Sequence, residues 1–286
     1  GQRLGPDLHH SFAVKTIEFS KDHRTLRAWG DDDRSYAWEI VSRPDQRNFD
    51  NERSSNGAFS PTGHWVLLWG GGQGFYLLNQ TTSGGPVRMG SIPIDHTRFS
   101  SDESLLAVWG ENEIELWETS TRRLRFSHRF KESVANVCFS AGASHLYVAT
   151  GREIEKLSAE DGEMHDDEEA THFQAPLVAL TISKSGERFL AGDAEGRVYY
   201  GSGQPALAVV GELQHDEPIT EGFFFDQDRH MIALGPDTRI WRWSSDSLAT
   251  SEVARLGPLL GGAVTADETR FFAWGSRAAK ILALPS

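Results

Sequence analysis

Four short stretches of this sequence carry residue types that could do chemistry. Gly70–Gly74 is rich enough in glycine to cradle a phosphate group, and the acids of His165–Glu169 offer oxygen ligands of the kind that Ca²⁺ and Mg²⁺ prefer. Cys138, the single cysteine of the chain, is a possible nucleophile. The run Asp31–Asp33 would attract a cation or a basic partner.

The first three stretches lack the surroundings that their chemistry requires. A phosphate loop leads into a helix and is followed by Lys and Ser or Thr, whereas Gly70–Gly74 falls in a strand-to-strand hairpin without such a pair. Consecutive acids on extended backbone point to opposite sides, and no glycine wraps His165–Glu169 around an ion. Cys138 stands in mid-strand beside Phe139, which is typical of a small packed residue. We therefore predict no catalytic residue, no metal and no cofactor.

Composition and charge exclude further classes. The 286 residues carry a net charge of −13, which disfavours binding to nucleic-acid phosphates and to anionic membranes and favours basic partners. The sequence contains no run of about 18 apolar residues, so no transmembrane helix is predicted. The single cysteine excludes an internal disulfide. We expect a cytoplasmic protein. The chain begins without Met, so other domains of a longer parent chain are also candidate partners.

An internal repeat spans almost the whole sequence. The dipeptide Phe-Ser, or a close variant of it, recurs at intervals of about 40 residues, which is the period of four-stranded propeller blades. The first residues of these dipeptides, which we call the anchors, are Phe19, Phe59, Phe99, Phe139, Ile182, Phe225 and Val264.

Each anchor is followed by the same succession of turn, apolar run, polar hairpin and third strand. The predicted third strands are Tyr36–Val41, Phe75–Asn79, Ile114–Glu118, Ile154–Ser158, Val198–Gly201, Ile240–Ser244 and Ala279–Leu284. Weaker fourth strands are predicted at Val87–Ser91, Arg123–Arg129 and Ala206–Leu213. Short strands with turn signals at this spacing predict an all-β protein.

The ends of the chain suggest how such a ring would close. The seventh repeat stops after its third strand, and Gln2–His10 precedes the first anchor. This segment either pairs with the last blade and closes the ring, or forms a free tail. We predict an all-β, single-domain protein over residues 1–286, a seven-bladed β-propeller of four-stranded antiparallel blades closed by its N-terminal strand.

The repeats resemble the WD-repeat family, in which a His, a hairpin acid and a Trp at the end of the third strand join a Ser or Thr in a hydrogen-bonded tetrad. The matching residues are His215, Asp237 and Trp243 in the sixth repeat, Trp38 with Asp32 or Asp33 and His9 or His10 in the first, Trp117 with Glu111 in the third, and His172 and Glu195 with Tyr200 in the fifth. The resemblance implies that Trp38, Trp117, His172, His215 and Trp243 support the blades and do no chemistry.

The sequence departs from the family where the second strand ends. That position usually holds a small residue, and here it holds Trp29, Trp69, Trp109 and Trp274. No repeat has a complete tetrad. We therefore expect a divergent member whose blades depend more on Trp packing than on polar networks.

Function is predicted at the hairpins between second and third strands. If they share one face, their side chains form an acidic rim that would bind a basic protein or peptide. The predicted partner-binding residues are Asp31, Asp32, Asp33, Glu111, Glu113, Asp193, Glu195 and Asp237. The alternative explanation is that turns are acidic because the whole protein is.

We therefore predict a non-catalytic interaction scaffold or sensor, with a regulatory role in a larger protein. The rival prediction is a propeller enzyme or small-molecule binder that uses the central channel, for which Glu18, Arg98 and Glu221 are scattered candidates. A third possibility is a repeat that serves only as a spacer or a platform for oligomers.

Overall fold

The computed structural model describes most of the chain between residues 54 and 235. It describes residues 14–19, 25–30, 35–39, 54, 56–70, 72–82, 85–164, 171–203, 207–215, 217–235, 239–244, 250–255, 259–264, 270–275 and 279–283. Side chains are described from 54 to 235 within these ranges and at 270, 271 and 283. The chain divides into two compact units, Gly1–Arg129 and Phe130–Ser286.

The first unit contains three antiparallel sheets, each a meander in which consecutive strands pair. Sheet 1 consists of β1 (Val14–Phe19), β2 (Thr25–Gly30) and β3 (Ser35–Glu39). Sheet 2 consists of β4 (Asn56–Phe59), β5 (Trp65–Trp69), β6 (Gln73–Asn79) and β7 (Val87–Pro93). Sheet 3 consists of β8 (His96–Phe99), β9 (Leu105–Gly110), β10 (Glu113–Glu118) and β11 (Leu124–Arg129).

The second unit contains four sheets of the same kind. Sheet 4 consists of β12 (Val134–Phe139), β13 (His145–Thr150), β14 (Glu153–Ser158) and β15 (Thr171–His172). Sheet 5 consists of β16 (Leu177–Ile182), β17 (Arg188–Asp193), β18 (Arg197–Ser202) and β19 (Ala208–Gln214). Sheet 6 consists of β20 (Glu221–Phe225), β21 (His230–Leu234), β22 (Arg239–Ser244) and β23 (Thr250–Arg255), and sheet 7 of β24 (Leu259–Val264), β25 (Arg270–Gly275) and β26 (Ala279–Ala283).

The predicted all-β, antiparallel fold with four-stranded sheets is confirmed. Every anchor is the last residue of the first strand of its sheet. The third strands agree with the prediction to within two residues at each end, and the three predicted fourth strands are β7, β11 and β19. The outer strands β15 and β23 were not predicted, because neither has an apolar run. Residues 2–10, on which ring closure depends, lie outside the described residues.

The serine of the Phe-Ser dipeptide closes the turn after the first strand. In sheets 2, 3, 4 and 5 its hydroxyl oxygen accepts a hydrogen bond from the amide five residues later, at 3.0 to 3.1 Å. The serine amide donates in turn to the carbonyl of that later residue. The serine hydroxyl thus supplies a side-chain acceptor to a turn amide that is at least partly shielded from water. The four serines are Ser60, Ser100, Ser140 and Ser183.

The first strands of sheets 4, 5 and 6 are linked by the residues that precede two of the anchors. The thiol of Cys138 donates to the carbonyl of Leu180 at 3.2 Å, and the hydroxyl of Thr181 donates to the carbonyl of Gly222 at 2.9 Å. Cys138 is 2% exposed and belongs to the apolar cluster that sheets 4 and 5 share. It is thus a packed structural residue in this repeat.

Candidate functional site

The hairpins between second and third strands carry the residues that we predicted to bind a partner. We call these hairpins the hairpin rim and describe them within each unit separately. In the second unit their backbones are fixed by the connections that lead to the next sheet. The amides of Phe173 and Leu177 donate to the carbonyls of Arg152 and Gly151 at 2.8 and 2.7 Å, and the amide of His215 donates to the carbonyl of Gly196 at 2.8 Å. These loops are therefore preorganised.

Two acids of the sheet 5 hairpin occupy opposite environments. Glu195 is 61% exposed, and its carboxylate lies 2.7 Å from Nη1 of Arg197. Asp193 is fully buried, at 0% exposure. The prediction that Asp193 contacts a partner therefore needs correction, because its carboxylate is covered and already occupied by internal donors.

Asp193 accepts four hydrogen bonds from its own hairpin and third strand. The amides of Glu195 and Arg197 donate to Oδ1 at 2.9 Å each, while Tyr199 Oη at 2.9 Å and Arg197 Nη1 at 3.2 Å donate to Oδ2. Burial, and then the bond to Asp193, raise the pKa of the Tyr199 phenol. The ring of Tyr199 also packs edge-on against Phe173. This carboxylate holds the hairpin in shape.

The resemblance grouped His172, Glu195 and Tyr200 in sheet 5, and the structure does not bring these three together. His172 is 66% exposed and its Nδ1 lies 3.1 Å from the Glu153 carboxylate. The aromatic residue whose hydroxyl donates a hydrogen bond to a carboxylate is Tyr199, one position before Tyr200. His215 is partly buried and contributes its amide to the rim.

In sheet 3 the exposed hairpin acid and the buried acid are again different residues. Glu111 is exposed, with a φ of 46°, at the tip of the hairpin. Glu113 is partly buried and binds Arg129 Nη2 at 2.6 Å and the Ser127 hydroxyl at 3.0 Å. The partner of the Trp117 indole is Glu115, which accepts from Nε1 at 3.0 Å.

Glu115 is a buried carboxylate of the first unit. It is 1% exposed and also accepts from the amide and the hydroxyl of Ser91, at 3.1 and 2.6 Å. Ser91 belongs to β7, the outer strand of sheet 2. One carboxylate thus ties two neighbouring sheets and fixes the orientation of Trp117.

Sequence reasoning missed the register position that Glu115 occupies. In every sheet the residue at this position of the third strand lies 16 or 17 positions after the anchor and has a long side chain with a polar tip. The seven residues are Tyr36, Tyr76, Glu115, Glu155, Tyr199, Arg242 and Lys280. Their sequence signal is the constant distance from the anchor, whereas the prediction rested on the acids of the hairpins.

At Glu155 the same register position lacks the indole donor that Glu115 has, and the charged form of the carboxylate is disfavoured. The indole donor of sheet 3, Trp117, is replaced in the same register by Leu157. Burial, and then the neighbouring Glu153 carboxylate, raise the pKa of Glu155, while Lys131 opposes the shift. Within the described part of the chain no three His, Cys, Asp or Glu residues are arranged to hold a metal ion.

The remaining predicted residues have no described side chains. Asp31, Asp32, Asp33 and Asp237 lie outside the described residues, and Trp38 and Trp243 are placed only as members of β3 and β22. Arg152 adds an exposed positive charge to the rim. Of the predicted partner-binding acids whose side chains are described, Glu111 and Glu195 are exposed, Glu113 is partly buried and Asp193 is buried.

Comparisons with known proteins add no assignment. No protein-family model matches this chain, and no curated protein matches it significantly. In the residues that the structure describes, no helix has the length and apolar character needed to span a membrane.

Proposed function

We propose that the seven sheets are the blades of a closed, divergent WD-repeat propeller, in which residues 2–10 complete sheet 7. The equal spacing of the anchors and the three-stranded sheet at the C-terminal end support this proposal. Deletion of residues 1–10 tests it. A marked loss of thermal stability is expected, because an unpaired edge would be exposed, and unchanged stability would argue for a free tail.

We propose further that the protein is a non-catalytic interaction module that binds a basic protein or peptide through the hairpin rim. The observation that carries this proposal is the pair of exposed carboxylates, Glu111 and Glu195, each at the tip of a tight hairpin. Because the loops of sheet 5 are fixed by backbone hydrogen bonds, little conformational entropy is lost when they bind.

The negative charge of the chain indicates that the partner is positively charged. The chain carries −13 overall, and rim acids raise the local concentration of cationic partners. Arg197 offsets part of the charge of Glu195, so we expect modest affinity with strong salt dependence. Asp31, Asp32, Asp33 and Asp237 would add to this field if they share the rim.

The test uses a fluorescein-labelled octalysine peptide and anisotropy titration. The double variant Glu111→Lys, Glu195→Lys should weaken binding about tenfold at an ionic strength of about 10 mM, where the Debye length is roughly 30 Å. The difference should shrink at about 150 mM, where that length is roughly 8 Å.

A matched control reverses two exposed acids away from the rim, Glu160→Lys and Glu187→Lys. Both lie in turns at the other end of the strands. If the control variant loses as much affinity as the rim variant, only net charge matters and the proposed site is wrong. The absence of any peptide binding at low salt would also contradict the proposal.

A further inference from the structure

The outer strand of sheet 3, together with the two residues before it, carries an unusual concentration of positive charge. Residues 122–129 read Arg-Arg-Leu-Arg-Phe-Ser-His-Arg, with four arginines and no acid, in a chain of net charge −13. Strand β11 forms the edge of its sheet, in the order β11-β10-β9-β8. Of the strands that the structure describes, none pairs with its outer side. The chain thus presents a basic strand edge on an acidic protein.

The arginines outnumber the carboxylates that they contact. Arg123 and Arg125 share one oxygen of Glu118, at 3.2 and 3.1 Å, and Arg129 binds Glu113 at 2.6 Å. Hydrogen bonds from Thr121, and then from Arg123 and Arg125, lower the pKa of Glu118 to about 2, so this carboxylate is already ionised and saturated at neutral pH. Two of these arginines therefore share a single carboxylate.

The guanidinium groups of Arg123 and Arg129 are exposed and can be reached by a partner. The side chain of Arg123 is 73% exposed and that of Arg129 is 70% exposed. Between them, Phe126 to Arg129 pair in regular register with β10, after a bulge at Arg125. Phe126 is buried, and alternation places Ser127 and Arg129 together on the other face.

The other outer strands lack this combination. Strand β15 has only two residues, and β19 begins with a short apolar run in which Val209 and Val210 are 44% and 64% exposed. Charge on an edge strand often serves only to prevent aggregation. Here the charge has one sign, so the same edge that repels basic chains attracts acidic ones.

We propose that β11 is a docking strand for an acidic peptide segment, which binds in an extended conformation as a fifth strand of sheet 3. Backbone hydrogen bonds to the outer side of β11 would supply general affinity, and the guanidinium groups of Arg123 and Arg129 would select carboxylates near the two ends of the segment. This site is separate from the hairpin rim and prefers the opposite charge.

The experiment uses a fluorescein-labelled peptide of alternating glutamate and valine, and anisotropy at low salt. The double variant Arg123→Gln, Arg129→Gln should weaken binding roughly fivefold, because two exposed ion pairs are lost. A control variant, Lys184→Gln with Arg229→Gln, removes two exposed cations from other turns and should bind as the unmodified protein does. A second peptide with a central proline should bind more weakly, since proline cannot donate to the strand edge.

Several results would overturn the proposal. Equal binding of the two peptides would mean that charge alone attracts them, without strand addition. Equal loss in the two protein variants would remove the assignment to β11. Tighter binding of a single-stranded oligonucleotide of equal charge would point to nucleic acid instead. Self-association of the Arg123→Gln, Arg129→Gln variant without any peptide binding would show that the arginines only protect the edge.

Discussion

Sheets 3 and 5 each bury one carboxylate beside an aromatic side chain, and they do so by different routes. In sheet 3 the carboxylate is Glu115, in the third strand, and its donors are Trp117 of the same strand and Ser91 of sheet 2. In sheet 5 the carboxylate is Asp193, at the end of the second strand, and all its donors belong to its own hairpin and third strand. One carboxylate joins sheets, and the other closes a loop.

The two networks use equivalent positions with exchanged roles. Glu115 and Tyr199 stand in the same register, opposite the residue nine positions after the anchor. Sheet 3 has Gly110 where sheet 5 has Asp193, and a side chain at Gly110 would collide with the Pro93 carbonyl. An acid at position 110 is thus excluded, and the buried acid of this network comes from the third strand instead.

The comparison predicts its largest effect at Trp109, which takes the place that Gly192 has in sheet 5. Trp109 is 3% exposed and stacks on His96 at 5.6 Å. Trp109→Ala should therefore reduce the free energy of unfolding by about 3–5 kcal/mol, measured by urea denaturation. A loss below about 1 kcal/mol would contradict full burial and the expected reliance on Trp packing.

Asp193→Ala should cost nearly as much, about 3 kcal/mol, because it leaves Tyr199 Oη, an arginine and two amides without their acceptor. Asp193→Asn retains an acceptor oxygen and should cost about half of that. Urea denaturation of both variants measures the difference. If neither variant changes stability, Trp packing alone supports sheet 5 and the polar network is dispensable.

Coupling across sheets distinguishes Glu115 from Asp193. A double-mutant cycle of Glu115→Gln with Ser91→Ala should give an interaction energy of about 1 kcal/mol between sheets 2 and 3. The cycle of Asp193→Asn with Tyr199→Phe should give a similar value within sheet 5. Additive effects in the first cycle would show that Glu115 does not join the two sheets.

The smallest effect is expected at Glu155, and it has the opposite sign. Because the pKa of Glu155 is raised in the folded state, its charge destabilises the fold at neutral pH, and the penalty fades as the pH falls through the raised pKa. Glu155→Gln should therefore stabilise the protein by roughly 0.5 kcal/mol at pH 7 and by nothing near pH 3. Stabilisation that is equal at both pH values would refute the assignment.

The architecture was readable from sequence because its signal is repeated. Seven anchors at nearly equal spacing mark the end of seven first strands, and in four sheets the serine after the anchor closes the turn that follows. The polar networks were harder to predict because they depend on which of two nearby acids faces inward. Asp193 and Glu195 are two residues apart at a turn, and only the backbone path there decides that the first is buried and the second exposed.

The family pattern predicted the wrong hydrogen-bond partner for Trp117 for the same reason. The pattern predicts a hydrogen bond to a hairpin acid, whereas the Trp117 indole donates to Glu115, two residues away in its own strand. Glu115, Glu155 and Tyr199 can be located by counting from the anchors, but only strand pairing shows that they share a register. The charge asymmetry of β11, by contrast, is visible in sequence, but its edge position is not.

We propose that buried acids support the hairpins while exposed acids bind the partner. The most direct test is the affinity of octalysine for two single variants of the sheet 5 hairpin, Asp193→Asn and Glu195→Lys, at a temperature where both remain folded. We expect Glu195→Lys to weaken binding about threefold or more and Asp193→Asn to leave it nearly unchanged. Loss of binding in Asp193→Asn with full binding in Glu195→Lys would contradict the account.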